Sequence, residues 1–180
     1  MMFSPDRYVA ALEFAAQRHL TQKIPGSDLP YVVHVTSVAA EVIAGLATTP
    51  VDDPELAVLC ALLHDAIEDT PTTHAEIAER FGTAVADGVQ ALSKDASLPK
   101  EDQMADSLRR IRLQPREVWM VKLADRITNL DAPPHYWNRE KRQKYRDEAL
   151  TIAEALGKAS PALDARIRLR ATTYERYFQS

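Results

Sequence analysis

The sequence predicts an all-α fold, a compact multi-helix bundle. Three observations carry that expectation. Apolar residues recur at three- and four-residue spacing through most of the chain. Several of these stretches open on Ser, Thr or Asp followed by Pro or a capping acid. The one β-like stretch, Tyr31-Val32-Val33-His34-Val35, is too short to carry a sheet.

The elements follow in order. Ser4-Pro5-Asp6 opens a first helix, with Ser4 as cap and Pro at the first helical position, and Tyr8, Leu12, Ala15 and Ala16 keep helical spacing to an end near Leu20. Thr21 to Pro30 holds Pro25 and Gly26 and reads as a loop. A second helix starts around Tyr31, with His34 in its first turns and Val38, Val42, Ile43 and Leu46 behind it. Asp53-Pro54-Glu55 starts a third, whose apolar run Leu56 to Leu63 ends in His64-Asp65-Ala66-Ile67-Glu68-Asp69. Thr73-His74-Ala75-Glu76 is a capping box for a short helix closed by Gly82, and Thr83 caps the next, to Leu92. Residues 93–102 read as a loop, and further helices fall near 102–113, 115–130, 138–157 and 160–178, the last from Ser160-Pro161.

A chain of 180 residues is expected to form one domain, 1–180, large enough to bury a full core. Its 46% hydrophobic and 27% charged content is that of a soluble globular protein. A single cysteine, Cys60, excludes an intrachain disulfide framework. No apolar stretch approaches the roughly 20 residues that cross a bilayer. Met1-Met2-Phe3-Ser4-Pro5-Asp6 lacks the basic-then-apolar order of a signal peptide, so the expectation is a cytoplasmic protein with no membrane partner.

Net charge is −4, which argues against nucleic acid as a partner. Residues 1–93 carry 4 Lys+Arg against 13 Asp+Glu, whereas residues 94–146 carry 13 against 8. A basic middle segment facing an acidic cluster suits a small anionic substrate; solvated amphipathic helices are the plainer account of most of these charges. The oligomeric state is left open.

The motif at the end of the third helix organises the chemistry. On a continuous helix His64 shares a face with Glu68, and Asp65 with Asp69. Three carboxylates and an imidazole at the end of a buried run repel and desolvate one another unless a cation sits among them. A divalent metal answers this; a helix end surfacing into solvent is the alternative. Two further ligands must then come from other helices. His34 lies on a Val-lined helix, where it is either a ligand or a satisfied core residue. Asp125 interrupts the apolar run from Val118 to Ala124, where it is either a ligand or a salt-bridge partner of Lys122 or Arg126. A borderline metal such as Mn²⁺ accepts imidazole and carboxylate together.

Taken together, a histidine, a His-Asp pair some thirty residues on and a distant Asp resemble the HD-domain metal-dependent phosphohydrolases. Three blocks extend the likeness: Leu29-Pro30-Tyr31-Val32-Val33-His34, Ala61-Leu62-Leu63-His64-Asp65-Ala66-Ile67-Glu68-Asp69-Thr70, and Val121-Lys122-Leu123-Ala124-Asp125-Arg126-Ile127-Thr128-Asn129-Leu130. These resemble the guanosine tetraphosphate hydrolase branch, the hydrolase domains of stringent-response enzymes and the small alarmone hydrolases.

The resemblance implies a helical HD-domain bundle, a Mn²⁺ cofactor and removal of the 3′-diphosphate from guanosine 3′,5′-bis(diphosphate). It implies His34, His64, Asp65 and Asp125 as metal ligands, Glu68 and Asp69 as the catalytic acids that orient and deprotonate water, and Asn129 as a contact to sugar or phosphate. The chain departs from the family in two places. Where the family carries an Arg-Lys pair beside the base, Arg18-His19 stands. After Leu98-Pro99-Lys100 the family's basic run is replaced by Glu101-Asp102-Gln103-Met104. Lys100, Lys141, Arg142 and Arg146 are therefore the candidates for the 5′-diphosphate. An HD phosphatase of deoxynucleoside monophosphates or NADPH, and a non-catalytic nucleotide-sensing module, are the alternatives.

Overall fold

The computed structural model describes residues 3–179. Met1 and Met2, part of the segment read for a signal peptide, and Ser180, the last residue of the expected domain, lie outside them.

The described residues form ten α-helices with short 3₁₀ turns and no paired strands beyond one isolated bridge between Lys23 and Pro30. Helix α1 spans Pro5–Arg18, α2 Val32–Leu46, α3 Pro54–Leu63, α4 Ala66–Asp69 and α5 His74–Phe81. Helix α6 spans Thr83–Leu92, α7 Gln103–Ile111, α8 Arg116–Asn129, α9 Arg139–Leu156 and α10 Pro161–Tyr174. A final 3₁₀ turn covers Glu175–Phe178.

Capping chemistry explains most of the boundaries. The side chains of Ser4, Asp53, Thr73, Asn138 and Ser160 each accept a backbone N–H at the start of their helices, filling donors that the helix leaves unpaired. Gly82, at φ +96°, ends α5 in a conformation that a side chain disfavours, and α6 starts on the next residue.

Helix α3 is the axis of the bundle. Every residue from Glu55 to Leu63 is buried, so it has no polar face, as expected of a helix surrounded on all sides. Helices α1, α2, α6 and α8 surround it. Gly88 lets α6 come close: a Cβ there would meet Cys60 Sγ at 2.7 Å. The buried acid Glu55 accepts Ser4 N–H and pairs with Arg7, which ties α3 to the start of α1. Since α2 and α8 both pack on α3, the C-terminal end of α3 opens between them, and it carries His64.

Two local expectations change. Thr83 does not cap α6 but is its first residue, because Gly82 forms the N-cap. The other change falls at the motif. The helix is not continuous through the motif: it stops at Leu63, His64 is its C-cap, and Asp65 starts the single turn α4. Asp69 N–H still donates to the Asp65 carbonyl at 2.9 Å, so that pair keeps its four-residue relation. His64 and Glu68 do not share a face; His64 turns toward α2, and Glu68 toward the loop after α6. The His34 imidazole and the Lys94 ammonium draw these two side chains apart, which a straight helix could not permit.

Candidate active site

Three helices deliver four polar side chains to one point. His34 comes from the first turn of α2, His64 and Asp65 from the break between α3 and α4, and Asp125 from just before the last turn of α8. The Nε2 atoms of His34 and His64 are 3.3 Å apart. Asp65 Oδ2 lies 2.9 Å from His64 Nε2 and 3.7 Å from His34 Nε2. Asp125 Oδ1 lies 3.6 Å from His34 Nε2 and 3.8 Å from His64 Nε2. The ligand atoms of His34, His64 and Asp125 fall within 4.8 Å of one another. Imidazole and carboxylate donors this close together are of the kind that would hold a divalent ion.

The chemistry of the donors fits a cation. His64 Nδ1 lies 2.9 Å from the Ala61 carbonyl, which can only accept. That bond places the ring's other proton on Nδ1 and turns Nε2, as a donor of electrons, toward His34 and the carboxylates. Burial alone would lower the affinity of His64 for a proton, but Asp65 and Asp125 outweigh it and raise its pKa to about 9. A pocket that holds a proton so firmly has a surplus of negative charge that a metal ion can take up instead.

Burial also pushes the two carboxyls upward, yet both lie below the usual range. For Asp65 the opposing groups are His64 and the Tyr31 hydroxyl; for Asp125 they are Lys122 and the two imidazoles. Lys122 Nζ holds Asp125 Oδ2 at 3.1 Å, and Asn129 Nδ2 donates to Oδ1 at 2.6 Å. One Asp125 oxygen therefore pairs with Lys122, as the salt-bridge option expects, and the other faces the histidines. His34 is buried but is no ordinary core residue, because its Nε2 faces His64 rather than a backbone carbonyl.

Asp65 and Asp125 of the cluster line a cavity of about 330 Å³. Glu68, Asp69 and Asn129 line it with Asp65 and Asp125, and four cations line it too: Lys94, Lys100, Lys122 and Arg126. Glu68 is gripped at both oxygens, by Lys94 N–H at 2.8 Å and Lys94 Nζ at 2.9 Å. Asp69 accepts only from the neutral amide of Gln22, at 2.8 Å, among described side chains. Burial raises the Asp69 pKa above the ordinary carboxylate value, making it the stronger base of a free carboxylate's kind. Tyr145 stacks under the Arg126 guanidinium at 4.0 Å and separates this cavity from a cleft of about 630 Å³ lined by Tyr136, Trp137, Lys141 and Lys144.

The cations expected around the substrate divide. Lys100 and Asn129 are in the cavity. Lys141 is in the adjoining cleft, with Nζ 4.3 Å from the Trp137 ring centre. The others face elsewhere. Arg18 pairs with Glu76 of α5 and stacks on Phe14. His19 is buried, with Nδ1 2.6 Å from Gln22 Oε1. Arg142 is buried and donates to the Tyr177 carbonyl at 2.8 Å, and Arg146 pairs with Asp147 and Glu175. Helix α9 packs on α8, α10 and the C-terminal turn, and that docking turns Arg142 and Arg146 away from the cavity. Sequence reasoning missed Tyr31, Gln22, Lys94 and Tyr145. Lys122 and Arg126 stood in view, but only as salt-bridge partners of Asp125. The excess of basic residues in 94–146 was the signal that could have found Lys94.

Two imidazoles and two acids converging at a helix break, beside a cavity lined by further acids and by four cations, define a metal-dependent hydrolase of helical architecture. The chain belongs to the HD-domain family, whose model, described as HD domain, matches residues 11–160. It is 35% identical over 147 residues to the guanosine-3′,5′-bis(diphosphate) 3′-pyrophosphohydrolase of Aquifex aeolicus, covering 79% of this chain and 20% of that protein. It is 30% identical over 162 residues to the guanosine-3′,5′-bis(diphosphate) 3′-pyrophosphohydrolase MESH1 of Danio rerio, covering 87% of this chain and 88% of the relative. The chain thus spans a fifth of the first protein and nearly all of the second. Its fold superposes with a TM-score of 0.84, at 24% identity and over 96% of this chain and 98% of the other, on a solved structure described as a metazoan ortholog of SpoT that hydrolyzes ppGpp. Among the described residues no helix is long and apolar enough to cross a membrane.

Proposed function

We propose that the chain removes the 3′-diphosphate from guanosine 3′,5′-bis(diphosphate), with Mn²⁺ as cofactor, and that it works in the cytoplasm. The observation that carries the reading is the meeting of His34, His64, Asp65 and Asp125 beside a cavity lined by the two aspartates, by three further carboxylates, Glu68, Asp69 and Glu148, and by four cations. Mixed imidazole and carboxylate donors suit Mn²⁺. Relatives that share nearly the full length of this chain carry the same activity in their names.

His34, His64, Asp65 and Asp125 would hold the ion, which supplies a Lewis acid toward the phosphoryl oxygens and acidifies water. Asp69, with a raised proton affinity and an oxygen left to the cavity, takes the proton of the attacking water. Glu68, fixed by Lys94, orients that water and keeps Lys94 beside the phosphates. Asn129 holds Asp125 and presents the rest of its amide to the sugar or phosphate. Lys94, Lys100, Lys122 and Arg126 balance the charge of the two diphosphates. They replace Arg142 and Arg146 in that role, and Lys141 is placed to reach the far end of the nucleotide from the adjoining cleft.

Product analysis with a nucleotide panel in Mn²⁺ tests this. Release of diphosphate from guanosine 3′,5′-bis(diphosphate), with GDP as co-product, is expected. Faster turnover of deoxynucleoside monophosphates, or of the 2′-phosphate of NADPH, would replace the reading. Binding without turnover would make the chain a nucleotide sensor.

A further inference from the structure

His19 was expected beside the substrate base, yet it is 3% exposed and points into the protein. Its Nδ1 lies 2.6 Å from Gln22 Oε1, and Gln22 Nε2 lies 2.8 Å from Asp69 Oδ2. Proton logic fixes every orientation in this chain. An ionised carboxylate only accepts, so the Gln22 group facing Asp69 is the amide N–H. The Gln22 carbonyl therefore faces His19, and since it also only accepts, His19 carries its proton on Nδ1. In the neutral ring Nε2 is then the bare nitrogen, and it is buried with no hydrogen-bond partner among the described residues. Burying a bare acceptor is unfavourable, so something must hold the ring in this pose. The bond to Gln22 does so on one side, and Tyr31 does so on the other, its ring centre 5.0 Å away.

The backbone makes Gln22 a rigid lever. Its N–H donates to the His19 carbonyl at 3.0 Å, and its carbonyl accepts Tyr31 N–H at 2.9 Å, so both sides of the residue are tied. Glu68 is held by a charged Lys94 at both oxygens, whereas Asp69 is held at Oδ2 by a neutral amide. That difference leaves Asp69 lining the cavity with no ion-pair partner among the described residues.

We propose that Gln22, its amide oriented by His19, is a positioning residue that aims the Asp69 carboxylate at the attacking water. The proposal rests on the reading of the cavity as a phosphohydrolase site. On this reading the His19 ring serves an acid of the site rather than the base of the nucleotide.

The test uses the full chain. Gln22→Met keeps length and loses both bonds. His19→Phe keeps a ring against Tyr31 and loses the donor, while His19→Asn puts an amide N–H where Nδ1–H stood. Steady-state kinetics on guanosine 3′,5′-bis(diphosphate) in Mn²⁺ are expected to show kcat down about 10–100-fold in Gln22→Met and His19→Phe, the size of a small misplacement of a catalytic group. KM and bound Mn²⁺ by elemental analysis stay within about twofold of wild type, and His19→Asn recovers most of kcat. Separately, ¹⁵N NMR of the metal-free wild type is expected to show His19 as the Nδ1–H tautomer. An Nε2–H tautomer in wild type, full kcat in Gln22→Met, equal losses in His19→Asn and His19→Phe, or loss of metal alongside kcat would each overturn the proposal. A wild type that turns over no nucleotide rejects the functional reading and the catalytic half of this proposal, while the tautomer still decides whether the relay exists.

Discussion

Lys94 grips Glu68 at both carboxylate oxygens, through its backbone N–H at 2.8 Å and its Nζ at 2.9 Å. The two residues are 26 positions apart and meet where the loop after α6 crosses α4. The pair is partly open to solvent, so its worth to stability is small, about 0–1 kcal/mol. Its value lies in where it puts the charges. Lys94→Met is expected to leave Tm within about 2 °C of wild type while cutting kcat/KM by about 10–100-fold, a loss of roughly 1.4–2.7 kcal/mol of transition-state stabilisation. The loss should shrink as salt rises, because the wild type loses its electrostatic advantage too. Steady-state kinetics at two ionic strengths check this, and a variant with wild-type kcat/KM would remove Lys94 from the site.

Asp125 carries two duties, facing the histidines with Oδ1 and Lys122 with Oδ2. Asp125→Asn keeps the shape and removes the charge. Affinity for Mn²⁺ is expected to fall by about 100-fold or more, and the metal-free protein to lose roughly 3 kcal/mol because buried Lys122 is left without its counterion. Calorimetric titration and denaturant unfolding in EDTA read the two effects separately. Unchanged metal affinity would exclude Asp125 as a ligand.

Proton and metal compete for His64. Its pKa is raised to about 9, so the ring is cationic at neutral pH in the metal-free protein, and a bound ion must displace that proton. Metal affinity is therefore expected to climb about tenfold per pH unit below about 9 and to level off above it. Titrations in two buffers of different ionisation enthalpy should show about one proton released per ion at pH 7. The sign for stability is the reverse. A folded pKa above the unfolded value of 6.5 stabilises the metal-free protein fully below that pH, and this contribution is lost as pH rises through about 9. No pH dependence of metal binding would show that the site holds no such proton.

Leu62 is fully buried on α3, two residues before His64. Leu62→Ala is expected to cost about 2–5 kcal/mol, the range for a truncated core leucine. Because α3 sets the height of His64 against α2 and α8, metal affinity should weaken as well. Thermal unfolding with and without Mn²⁺ checks both, and a large drop in Tm with unchanged affinity would uncouple the core from the site.

Much of this protein is legible along the chain because the forces involved act within a few residues. Ser4-Pro5, Asp53-Pro54, Thr73 and Ser160-Pro161 mark helix starts because a side-chain oxygen reaches an unpaired N–H two or three residues on. The all-apolar run to Leu63 marks the central helix, and acids breaking such runs at His64-Asp65 and Asp125 mark a place where charge needs a partner. Tertiary packing decided the rest. Periodicity tells which residues share a face, but the element on which that face docks is chosen by neighbours far away in sequence. So Arg142 and Arg146 face the C-terminal turn, Arg18 faces α5, and His19 turns inward to Gln22, while Lys94 and Arg126 take the places around the cavity. The break at His64 is decided the same way: a single straight helix could not bring one imidazole to α2 and send Glu68 to the loop after α6.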